Sequence, residues 1–184
     1  MSGCGTVGRL PPNFLPDAKY PPVSINFNDG DVWVTHTDEE GNETKELAPY
    51  AVMLTEEAQR LGLFQKVNLL VPNDGVSPHD VVFDVHYDRK TTDRTAAKAA
   101  VAVHSVGLIP TVWTMETRVS VKIKVLSDVV STYEYLLPSK ETKSMFLIFS
   151  DPDERRVMQS FWKQFVADVE KDRVFETRVS TALH

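Results

Sequence analysis

Three side chains capable of metal binding or acid–base chemistry recur at alternate positions in one short stretch: Asp84, His86 and Asp88. Imidazole nitrogen and carboxylate oxygen hold divalent cations at about 2.0–2.2 Å. Residues i, i+2 and i+4 of a strand share a face, and His79 and Asp80 lie just upstream. The same triplet is also what the solvated face of an antiparallel strand displays. Its ends lie roughly 13 Å apart on a flat strand. The solvated face is the preferred reading, so no metal is expected, and Asp84, His86 and Asp88 stand only as candidate ligands. Asp84 and Asp88 could in principle do acid–base work, but nothing else points to a sugar-cleaving cleft.

Other chemistry finds little support. There is no Gly-x-Ser-x-Gly elbow and no Gly-rich phosphate loop. His36, His79, His86, His104 and His184 sit in no recognised catalytic context, and the single cysteine, Cys4, lies in a proline-rich lead. A Cys/His catalytic pair needs both groups on a rigid scaffold, so no enzyme activity and no cofactor is expected. One cysteine also rules out an internal disulfide. A further candidate site is apolar. Val101, Val103, Val106, Leu108, Ile109 and Trp113 cluster in a stretch without clear periodicity. They form either a contact surface for a membrane or partner protein or a buried crossover between two long strands.

These residues need a scaffold, and the pattern of the chain supplies one. Residues 1–22 carry Pro11, Pro12, Pro16, Pro21 and Pro22, five of the eleven prolines. Proline fixes φ and removes a donor, so this part reads as a tether, with Phe14 and Tyr20 as anchors if it instead packs as an arm. The domain is read as 23–172, followed by a tail, 173–184. Val23, Ile25 and Phe27 alternate with polar residues as a strand. The turn residues Asn28 to Asp31 then predict a hairpin with Val32 to Thr37. Ala48 to Leu61 reads as a helix with Pro49 in its first turn and Gly62 just beyond it.

Asp80 to Asp88 is a strand with Val81, Phe83, Val85 and Tyr87 on one face. Trp113 to Val125 alternates over a long strand that turns near Ser127-Asp128 and returns through Val129 to Leu136. Met145 to Phe149 is a continuous apolar run, as in a buried strand. Asp151-Pro152-Asp153-Glu154 opens a last helix that buries Val157, Met158, Phe161, Trp162, Phe165 and Val169. The expectation is an α+β fold: a mostly antiparallel sheet of five to seven strands with two main helices on one face.

Composition is that of one globular domain: 184 residues, 42% hydrophobic, 25% charged, net charge −6. A nucleic-acid partner calls for a basic stripe, so none is expected. No window approaches the roughly 20 apolar residues of a membrane span.

Ser2-Gly3-Cys4 resembles the end of a bacterial lipoprotein signal, in which a small residue and Gly precede an acylated Cys. Met1 stands where Leu is common, as though it replaced a removed targeting segment. The body is similar to small envelope lipoproteins of Gram-negative bacteria. The matching features are Leu61-Gly62-Leu63-Phe64 with Val67, Asp80 to Val85, Gly107-Leu108-Ile109-Pro110, Tyr133-Glu134-Tyr135 and the closing helix. They span roughly residues 47–170. The resemblance implies a periplasm-facing domain tied to the outer membrane through acylated Cys4, with Gly5 as the sorting residue. It implies neither catalysis nor ligands.

Three functions follow. The first is a non-catalytic adaptor or assembly factor that binds another envelope protein. The second is a carrier or sensor of a small hydrophobic ligand, with a pocket lined by Phe161, Trp162 and Phe165. The third is a metal-dependent enzyme using Asp84, His86 and Asp88.

Overall fold

A computed structural model describes residues 15, 17–27, 32–37, 43–72, 75–91, 111–143 and 152–183. The strands are β1 (Val23–Phe27), β2 (Trp33–Thr37), β3 (Glu43–Leu47), β4 (Val67–Leu69), β5 (Val81–Thr91), β6 (Thr111–Val125) and β7 (Asp128–Lys143). The helices are α1 (Pro49–Arg60) and α2 (Pro152–Lys171), then a π-helical turn (Phe175–Val179) running into α3 (Ser180–Ala182). Five strands form the main sheet in the order β4-β1-β5-β6-β7, and β2 and β3 form a separate antiparallel ribbon.

The α+β class holds, but the sheet is mixed rather than mostly antiparallel. β1 runs parallel to both β4 and β5, whereas β5–β6 and β6–β7 are antiparallel. The predicted β1–β2 hairpin is absent. Val23, Ser24 and Ile25 are all fully buried, so β1 needs neighbours on both edges and cover on both faces, the usual setting of a parallel strand. Parallel pairing needs a crossover, and the ribbon and α1 provide it between β1 and β4.

α1 follows its sequence signals. Pro49 lies in its first turn, Ala51, Leu54 and Ala58 are buried, and Gly62 takes φ +64° just past the end. Leu61, expected on the same face, is exposed. In α2 all six predicted apolar residues are buried. Their rings fill the space between helix and sheet: Phe83 lies 5.4 Å from Phe165 and 6.4 Å from Trp162, and Phe161 lies 5.5 Å from Tyr135. Trp162 Nε1 donates to the Leu54 carbonyl at 2.9 Å, which satisfies the indole and ties α2 to α1.

The core extends past both boundaries read from the sequence. Tyr20 is buried and stacks on Phe175 with centroids 4.4 Å apart. Val174, Phe175 and Val179 are buried in the segment read as a tail. Arg173 makes this possible by turning the chain with φ +52° after α2. The run Met145 to Phe149, the turn Asn28 to Asp31 and the cap Asp151 lie outside the described residues.

Candidate functional site

β5 places Asp84, His86 and Asp88 on the sheet face away from α2, opposite Lys122, Ser120 and Arg118 of β6. Asp84 is only 2% exposed. It accepts from Asn26 Nδ2 at 2.7 Å and is ion-paired with Lys124. Asp88 pairs with Lys90 at 2.7 Å, and that hydrogen bond holds its carboxyl below the usual carboxylate range. His86, between them, has a contact of its own. The face thus sets a lysine against each of its two aspartates. Among the described residues no group of three or more His, Cys, Asp or Glu is placed to hold a metal.

His79 and Asp80 do not join this set. The His79 amide donates to Ser24 Oγ at 2.9 Å, and its Nε2 lies 2.9 Å from Asn68 Nδ2. Burial, with Lys66 nearby, holds its imidazole below the ordinary range. Cys4, Val101, Val103, Val106, Leu108 and Ile109 lie outside the described residues. Trp113 lies in β6, opposite Glu141 of β7.

On the helix side, three tyrosines of the sheet and Tyr20 of the lead reach α2 and the residue after it through their hydroxyls, a polar seam that the sequence reading missed. Tyr87 donates to Glu154 at 3.1 Å, Tyr135 to Asp168 at 3.0 Å, Tyr133 to Asp172 at 2.9 Å and Tyr20 to Glu170 at 3.3 Å. Burial, followed by the hydrogen bond to Asp172, pushes the Tyr133 hydroxyl up to about 12. Burial raises Tyr87 and Tyr135 as well, with carboxylates adding to it. All four therefore stay protonated and donating at neutral pH. The sequence signal was Tyr133-Glu134-Tyr135, two hydroxyls on one strand face.

The seam closes where the chain enters the fold. Leu15 N–H donates to Gln65 O at 2.7 Å, Tyr20 N–H to Leu63 O at 2.8 Å, and Lys19 pairs with Glu170 at 2.7 Å. Tyr20 also forms a parallel bridge with Phe64. Backbone bonds of Leu15 and Tyr20 and the buried Tyr20 ring thus fix this part of the lead to the domain.

Two grooves flank α2. One, of about 270 Å³, lies between the helices and is lined by Glu57, Leu61, Gln159, Trp162, Lys163 and Val166. Glu57 is engaged there by Arg60, Arg155 and Gln159. The other, of about 480 Å³, lies between α2 and β7, with Leu137, Ser139, Lys140, Val157, Ser160 and Gln164 among its walls. Phe161, Trp162 and Phe165 pack on one another, with Trp162 also lining the groove between the helices.

No protein-family model matches the chain, and no curated protein matches it. Similar solved structures include a minor lipoprotein from Acinetobacter baumannii, 13% identical, covering 85% of this chain and 94% of that one, TM-score 0.39. A Xanthomonas campestris protein is 8% identical over 83% of each chain, TM-score 0.37. Rare lipoprotein B from Shewanella oneidensis is 12% identical over 88% of this chain and 96% of that one, TM-score 0.27. Two of these three are lipoproteins.

Proposed function

We propose that this chain is a non-catalytic lipoprotein of the bacterial envelope, acylated at Cys4 and held on the periplasmic face of the outer membrane, where its domain binds another envelope protein. The observation that carries this reading is how the chain enters the fold. Among the described residues, the first fixed contacts are those of Leu15 and Tyr20, and Cys4 lies within Ser2-Gly3-Cys4 earlier in the sequence. From Cys4 to Leu15 a chain reaches no more than about 40 Å, so an acyl anchor there would keep the domain close to the bilayer. Several acyl chains on one Cys would supply stable anchoring at about 0.8 kcal/mol per buried methylene. With net charge −6, the domain would add no attraction to anionic lipid, which leaves attachment to Cys4.

The test is expression behind a lipoprotein signal sequence in a Gram-negative host, followed by membrane fractionation and mass spectrometry. Acyl mass on the Cys4 peptide, and release of a Cys4→Ala variant from the membrane fraction, are the expected results. An unmodified Cys4 peptide, or a Cys4→Ala variant that stays with the membrane, would overturn the proposal.

A further inference from the structure

β7 ends the sheet order, and among the described residues no strand pairs with its outer edge. An unpaired edge offers N–H and C=O groups to any strand that can run beside it. This edge is blocked near its start and loses one donor further along. Near its start the register shifts at Ile123/Lys124, and Arg178 Nη1 donates to Val130 O at 3.0 Å and to Ser131 Oγ at 2.7 Å. Further along, Pro138 lacks a donor. Thr132-Tyr133-Glu134-Tyr135-Leu136-Leu137 carries neither proline nor lysine, the residues that commonly blunt edges, and beyond it Pro138 removes one donor per copy but keeps its carbonyl as an acceptor.

The side chains of this stretch complement themselves. Thr132, Glu134, Leu136, Pro138 and Lys140 are all exposed at alternate positions of β7, Leu136 at 55%. Two copies of β7 can run antiparallel with Leu137 opposite its own counterpart. Each Glu134 then faces the Lys140 of the other copy, and each Leu136 faces a Pro138. Moving the register by one pleat in either direction places Glu134 opposite Pro138 or Thr142 and loses both charge pairs. On the helix side, the groove of about 480 Å³ beside β7 would meet its own image, with the two Leu137 side chains at its floor. We propose that β7 is a homodimerisation edge, pairing antiparallel with β7 of a second copy so that the two sheets become one.

The test is sedimentation equilibrium of the full chain carrying Cys4→Ser, at about 0.15 M salt so that the like net charges are screened. A monomer–dimer equilibrium is expected. Glu134→Lys and Lys140→Glu each turn two attractive cross-strand pairs into repulsive ones, and each should weaken the dimer about tenfold. The double reversal should restore it. Glu134 and Lys140 are both surface-exposed, so circular dichroism and melting of the single variants should match the parent. A chain that stays monomeric up to about 100 µM, or a dimer indifferent to both reversals, would overturn the proposal.

Discussion

At the scale of single residues, Asp84 separates what a sequence displays from what it hides. Its alternation with His86 and Asp88 marks a polar strand face, and that face exists. Its partner could not be read, because Lys124 is forty positions away and reaches Asp84 only through the β5–β6 register. Lys124→Ala would leave a carboxylate that is 2% exposed with the hydrogen bond from Asn26 but without its ion pair. That loss should cost about 3 kcal/mol in urea unfolding. Lys90→Ala, which breaks the more open pair with Asp88, should cost less than about 1 kcal/mol. Added zinc or chelator should leave both melting curves unchanged. His79 makes a pH prediction. With its folded-state imidazole held below the ordinary range, the unfolded chain takes up a proton that the folded one resists. Stability from this group is therefore present above about pH 6.5 and declines as pH falls through that value. As placed, Asn68 Nδ2 also needs an unprotonated Nε2 to accept its hydrogen. Urea midpoints at pH 7.5 and 5.5 should differ less in His79→Gln than in the parent, and an equal difference would assign the effect to other groups.

Among the elements, those whose signals are local were legible. α1 starts at its proline and ends before its glycine. The long β6–β7 hairpin follows the alternation of Met115, Val119, Val121, Ile123 and Val125. Its turn does not follow the rules for turn residues. Leu126 and Ser127 both adopt left-handed backbone, with φ +49° and +83°. A two-residue hairpin loop of this kind favours Asn-Gly, because Gly alone enters that region without cost. Leu126 is 60% exposed, so its side chain adds little packing in return. The Leu126 amide donates to Asp80 O at 3.0 Å, and this backbone bond survives substitution. Leu126→Asn with Ser127→Gly should therefore stabilise the protein by about 1–2 kcal/mol. That corresponds to a rise in Tm of roughly 3–6 °C for a chain of this size. An unchanged or lower Tm in calorimetry would mean that Leu126 packs against something that offsets the strain.

In the whole molecule, what escaped the sequence was mostly non-local. Strand alternation shows that β1 is a strand but not which strands flank it, and turn residues at 28–31 favoured a hairpin that burial of β1 on both faces overrode. The chain ends were misjudged for a related reason. Tyr20 sits among prolines, and Val174, Phe175 and Val179 sit among charged and hydroxyl residues, so neither stretch shows an apolar period long enough to count. In the fold these residues meet: Phe175 stacks on Tyr20, lies 6.1 Å from Phe64 and 6.4 Å from Phe83, and closes the end of the core where the lead enters. Burying a large apolar side chain contributes about 1.5–3 kcal/mol. Loss of Val174, Phe175 and Val179 together should therefore remove about 5–8 kcal/mol, against a typical total stability of about 5–15 kcal/mol. A chain cut after Asp172 should lose its cooperative unfolding transition or shift it to far lower denaturant. One cut after Leu183 should unfold like the full protein. If the chain ending at Asp172 unfolded at the parent midpoint, the C-terminal segment would be an appendage, and the domain would stop where the sequence pattern alone had placed its end.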